Sequence, residues 1–151
     1  SPQIIYKAVV RNMTKTIFII GSIIFLMAIF SYIVRLRNEN KLRRLSDSRP
    51  SLTRTEYISK LVNAGFNENH VEVVYDKIKE LISLDGFSIY PEDDIREIYG
   101  IDDLDDIELI DSICKKLNLR LVEQKDCDKL NENMKSFNAE YILALTKSLA
   151  K

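Results

Sequence analysis

Residues 17–34 read IFIIGSIIFLMAIFSYIV, an uncharged run of 18 residues held between Lys15 and Arg35. Wound as a helix at about 1.5 Å per residue, the run spans roughly 27 Å, close to the hydrocarbon thickness of a bilayer. A signal-peptide core usually stops after roughly 7 to 15 apolar residues at a small-residue cleavage site. No Ala-x-Ala-like exit follows here, and Arg35 comes at once. The segment is therefore expected to be a transmembrane helix, and whatever follows it must fold as a separate body.

Basic residues near the two ends set the expected orientation. Lys7, Arg11 and Lys15 precede the run, whereas Arg35, Arg37, Lys41, Arg43, Arg44 and Arg49 follow it. Lys and Arg accumulate on the cytoplasmic side when they lie within about 15 residues of a membrane helix. The expected protein is thus single-pass in a bacterial inner (plasma) membrane, with its C-terminal domain cytoplasmic. Met13, Thr14 and Lys15 read as a natural translation start, so residues 1–12 are expected to be an upstream extension. The resulting division is a tail over 1–16, a transmembrane helix over 17–34, a basic juxtamembrane linker over 35–51 and a helical domain over 52–151.

Charge is partitioned along the chain. Residues 35–49 carry six basic against two acidic residues, a net of +4, and residues 51–151 carry 21 acidic against 13 basic, a net of −8. Arg35, Arg37, Lys41, Arg43 and Arg44 are expected at the membrane surface, where Lys and Arg snorkel to head groups. Residues 92–111 hold ten acids (Glu92, Asp93, Asp94, Glu97, Asp102, Asp103, Asp105, Asp106, Glu108 and Asp111) against Arg96 alone. Such a field attracts basic protein surfaces and repels nucleic acid.

Several chemistries find no residues to perform them. Cys114 and Cys127 stand 13 positions apart without a CxxC pair, and His70 is the single histidine. That pattern fits free thiols in a reducing compartment better than a zinc site or a disulfide scaffold. The aspartates at 102, 103, 105 and 106 lack the central Gly and terminal Glu of a calcium-binding EF-hand loop, so no metal is expected. No Gly-rich phosphate loop or nucleophile elbow is present.

Beyond residue 51 the periodicity is helical. Thr53 and Glu56 form a capping box before Tyr57, Ile58, Leu61 and Val62, with Gly65 as the stop. Asn67 or Asn69 caps a second helix with Val71, Val74, Tyr75, Ile78, Leu81 and Ile82 on its apolar face, ended by Asp85 and Gly86. Residues 87–99 read as a long loop anchored by Phe87, Ile89, Ile95 and Ile98. Asp103 is expected to cap a third helix that turns Leu104, Ile107, Ile110, Ile113, Cys114 and Leu117 inward and Asp105, Asp106, Glu108, Asp111 and Lys115 outward. A polar stretch over 123–135 leads to a last helix near 138–149, with Ala139, Ile142, Leu143, Leu145 and Leu149 as candidate core. No segment alternates convincingly as a strand; Leu119, Arg120, Leu121 and Val122 come nearest.

Gly100, Ile101, Asp102, Asp103, Leu104, Asp105, Asp106, Ile107, Glu108 and Leu109 form a motif of their own. It resembles the prosthetic-group motif of acyl carrier proteins, Gly-x-Asp-Ser-Leu-Asp-x-x-Glu-Leu, with aspartate where the family has its modified serine. The resemblance extends over about residues 69–151 and implies an all-α, acyl-carrier-like helical bundle whose acidic motif helix docks on basic partner enzymes. It also implies that phosphopantetheine is not carried, because Asp103 has no hydroxyl to attack a phosphorus centre. Ser112, in an Asp-Ser pair, is a weak alternative that lies about two and a half turns into the helix. Asp103 itself reads as a helix cap or as a permanent negative charge in place of a carrier's phosphate.

The functional expectation is a membrane-tethered, non-catalytic interaction module that docks a basic partner surface. Two alternatives stand beside it. One is a carrier component modified at a non-standard serine. The other is a structural single-pass subunit that packs through Gly21, Ser22 and Ala28.

Overall fold

The computed structural model describes residues 2–82 and 84–150, without the side chains of residues 2, 4, 5, 8 and 103. Among the described residues all regular elements are helices, in agreement with the all-α expectation. The chain divides into two compact units, Ser1–Asn38 and Glu39–Lys151.

Helix α1, Pro2–Ser48, contains the whole apolar run and crosses the boundary between the units. It is long and apolar enough to cross a membrane, and its apolar window is not buried inside the protein. A helix hydrophobic on all sides needs an apolar surround to be stable. Three of its hydroxyls are satisfied within the helix. Thr14, Thr16 and Ser22 donate to the carbonyls of Val10, Asn12 and Phe18 at 2.9, 3.0 and 2.8 Å, satisfying themselves within the helix.

The second unit begins at Glu39, not at residue 52 as expected. The basic stretch is helical as far as Ser48, and within it Leu42 is 2% exposed. Leu45 packs against the same core. An i, i+3 apolar pair thus docks the last turns of α1 on the domain, so residues 39–48 are a structural element where a linker was expected.

Helix α2, Arg54–Asn63, opens with the expected capping box: Glu56 N–H donates to Thr53 Oγ1 at 3.2 Å and Thr53 N–H to Glu56 Oε2 at 2.8 Å. Helix α3, Glu68–Glu80, is capped by Asn67, whose Oδ1 accepts from His70 N–H at 3.2 Å. It stops before Leu81, which is exposed instead of inward. The expected loop contains a short helix α4, Ile95–Tyr99, closed by Gly100 at φ 70°, a left-handed C-terminal position that favours glycine. Helix α5 is Asp103–Lys116, and the polar stretch that follows contains helix α6, Gln124–Asn131. Helix α7, Ala139–Leu149, is capped by Asn138, whose Oδ1 accepts from Tyr141 N–H at 3.0 Å.

Helix α3 is the centre of the bundle, touching α2, α5 and α7, while α6 packs on α7. Val71, Val74 and Ile78 of α3 meet Ile113 of α5 and Ile142 and Leu145 of α7 in one core. His70 ties the two ends of that core together. Its Nδ1 lies 3.1 Å from Thr146 Oγ1, which is also 2.9 Å from the Leu143 carbonyl, so the start of α3 is joined by a side-chain hydrogen bond to the last turns of α7.

Candidate interaction surface around helix α5

The ten acids do not act as one group. Asp93 is 10% exposed at its side chain and serves as an internal hub. Arg49, just after α1, donates from Nη1 and Nη2 to both its oxygens at 2.8 Å and from Nη2 to the Ser88 carbonyl at 2.7 Å. Tyr99 OH donates to Asp93 Oδ2 at 2.6 Å, and Tyr90 N–H to the same oxygen at 3.2 Å. The guanidinium lies 4.2 Å from the Tyr90 ring centre and 5.2 Å from that of Phe87. Burial disfavours the charge on Arg49, but the paired carboxylate outweighs it and raises its pKa. Burial, followed by the bond to Asp93, drives the Tyr99 hydroxyl far above the usual phenol range. Asp93 therefore holds the acidic segment to the end of α1.

Asp94 is a strut. Its carboxylate caps α4 by accepting from the N–H groups of Arg96 and Glu97 at 3.0 and 3.1 Å. It also accepts from Ser136 Oγ at 2.9 Å and Phe137 N–H at 3.0 Å, which fixes α4 to the approach of α7. Burial alone would raise its pKa, yet these four donors lower it below the ordinary carboxylate value.

Asp106, expected outward, is 3% exposed and pairs with Arg96. Arg96 in turn lies 4.8 Å from the Phe137 ring centre. On a 3.6-residue helix, turning Asp106 inward turns Leu109 and Ile113 inward with it and rotates Leu104 and Ile107 out. The two expected core residues are indeed exposed, Leu104 by 72% and Ile107 by 58%.

The cap also moves by one residue. Asp102, with extended backbone at φ −90° and ψ 174°, accepts from Leu104 N–H and Asp105 N–H at 3.0 Å each. Asp103 is already the first helical residue, so it does not cap α5; its side chain is outside the described residues. An N-cap needs non-helical backbone, and only the earlier aspartate has it.

Glu92, Glu97, Asp105 and Glu108 are exposed, and Asp111 is half-buried. Glu92 forms an ion pair with Lys60. Ser112, half-buried, donates its hydroxyl to the Leu109 carbonyl at 2.8 Å, as mid-helix serines commonly do. Of the basic residues, Arg35 and Arg37 lie on the first unit's part of α1, and Lys41, Arg43 and Arg44 are exposed on the second. Lys41 donates to the Glu97 carbonyl.

Cys114 is buried and Cys127 half-buried, both as free thiols. Burial, with Asp111 nearby, pushes the Cys114 thiol up and leaves it a small hydrophobe. Tyr141 is pushed up to about 12 by burial and its neighbour Cys127, and its hydroxyl donates to Asn131 Oδ1 at 3.0 Å. Among the described residues no group of His, Cys, Asp and Glu is arranged to hold a metal ion.

Missed in the sequence were the exposure of Leu104 and Ile107 and the furrow beside them. Two depressions of about 290 and 220 Å³ share Ile107, Ile110, Gln124 and Cys127 as walls, so they form one furrow between α5 and α6. Nothing in the sequence separates its apolar lining at 107, 110, 122 and 127 from the apolar residues around it at 109, 113, 114, 117, 119 and 121. No protein-family model, curated protein or solved structure matches the chain.

Proposed function

We propose that the chain is a membrane-tethered, non-catalytic interaction module whose second unit docks a basic protein surface on the first turns of α5. The observation that supports this best is the exposure of Leu104 and Ile107 beside the exposed carboxylates of Asp105 and Glu108. Large apolar side chains left in water beside unneutralised charge fit a docking face, with apolar contact for affinity and charge for steering. The resemblance of residues 100–109 to the carrier motif supports the same reading, because carriers meet their partners through that helix. In this reading the domain keeps a carrier's docking helix and has given up its attachment point at Asp103, so it holds no phosphopantetheine. The surplus of basic residues after the apolar run supports a reading in which the domain is cytoplasmic, at a bacterial inner membrane.

Affinity purification of the tagged full chain from membranes tests the proposal when the wild type is compared with Asp105→Lys/Glu108→Lys. Asp106 is left intact because its pairing with Arg96 is internal. Loss of co-purifying protein from the double variant, with unchanged thermal unfolding, is the expected result. Retention of every partner would refute the proposal.

A further inference from the structure

We infer that the furrow between α5 and α6 accepts the apolar face of a basic amphipathic helix from the partner protein. This deepens the docking reading above and rests on it.

The floor and the rim carry different chemistry. Ile107, Ile110, Val122 and Cys127 line the furrow toward the start of α6, and Met134 lies farther along it. Leu104 extends the apolar strip by one turn of α5. Glu108 and Asp111 stand at i+4 from Leu104 and Ile107, so they flank that strip on the helix surface. No ion pair engages Asp105, Glu108 or Asp111 among the described residues. At the opposite end, Arg96 and Lys135 line the wall beside Phe137, and Arg96 is committed to Asp106. Lys135 keeps its charge at that far end, but along the α5 side of the apolar floor the unneutralised charge of Glu108 and Asp111 is negative, and a partner complementary to that side carries Lys or Arg alongside its apolar stripe.

The secondary structure of the occupant follows from the walls. The two flanks are helices α5 and α6, the far end is closed by residues 134–137 and by Tyr141 of α7, and among the described residues no strand edge is offered, so an extended peptide has no ladder of main-chain groups to join. Recognition must run from side chain to side chain. A helix supplies this with apolar residues at i, i+3, i+4 and i+7 on one face and charges at its border.

The test uses the full chain in nanodiscs of phosphatidylcholine, which carries no net charge to attract a basic peptide. The probe is a fluorescent 18-residue Leu/Lys peptide with leucines at i, i+3, i+4 and i+7 spacing, read by anisotropy. A scrambled peptide of identical composition is the control. The probe is expected to bind at least about ten-fold more tightly than the scramble, equal to about 1.4 kcal/mol. Ile107→Asp separates the mechanisms, since it adds a negative charge to an exposed position. Charge attraction alone makes binding tighter, whereas furrow docking weakens it about ten-fold or more. Equal binding of probe and scramble, or unchanged or tighter binding by a folded Ile107→Asp, overturns the inference. If the peptide fails while Asp105→Lys/Glu108→Lys still loses its partner from membranes, the docking function survives and the helical occupant does not.

Discussion

Arg49 shows how one residue decides what an acidic segment does. Its planar fork matches Asp93 and its flat face covers Tyr90, a combination lysine cannot supply. Arg49→Ala strands a mostly buried carboxylate and should cost about 2 kcal/mol or more in chemical denaturation of the full chain. Arg49→Lys should recover only part of that loss. Asp94 gives a pH signature. Its folded pKa lies below the unfolded value near 3.8, so its contribution is present above that value and is lost as pH falls through the folded pKa. Replacement by Asn, which removes the titrating group, should flatten the stability profile below pH 4, measured as melting temperature against pH. An unaltered acid limb would show that the four donors to Asp94 contribute nothing of consequence.

Among the elements, α5 separates what periodicity reveals from what it hides. Its limits were legible to within a residue, because aspartates crowd its start and Lys115 and Lys116 its end. Its later inward residues were legible too, Ile113 and Cys114 being buried as expected, but the rotation of its first turns was not. Apolar spacing allows either Leu104 and Ile107 or Leu109 to lie inward with Ile113, and the choice falls to Arg96 of α4, which pairs with Asp106. A long-range pairing of this kind leaves no trace in local spacing. The buried and exposed sides should respond differently to mutation. Ile113→Ala should cost about 2–5 kcal/mol by leaving a cavity, whereas Ile107→Ala should stay within about 0.5 kcal/mol. Urea midpoints measure both, and comparable losses would mean that Ile107 is a core residue.

Helices α4 and α6 escaped sequence reading for separate reasons. Helix α4 has five residues, too few for a period to register. Helix α6 buries no side chain fully and reads as a polar connection. It is fastened locally instead, by Asp126, which accepts from Glu123 N–H at 2.9 Å and from Arg120 at 2.8 Å on each oxygen. The capping box of α2, in contrast, needs only Thr53 and Glu56 and was legible from two letters.

For the whole molecule, the sequence divides at the change from apolar to basic, while the second unit begins deeper, at Glu39. Leu42 and Leu45 were present in the basic stretch, but six positive charges around them read as a solvated collar. The proposed orientation predicts that protease added outside intact spheroplasts leaves the second unit whole, and that inverted membrane vesicles expose it to cleavage. Cleavage in spheroplasts would reverse the orientation.

The proposal that the exposed strip of α5 meets a protein partner is tested most directly by photo-crosslinking in native membranes, with a photoreactive amino acid at position 107 or, as a control, at exposed position 147 on α7. A discrete adduct from position 107 that is absent from position 147 is the predicted result. No adduct from position 107, or the same adducts from both positions, would contradict it.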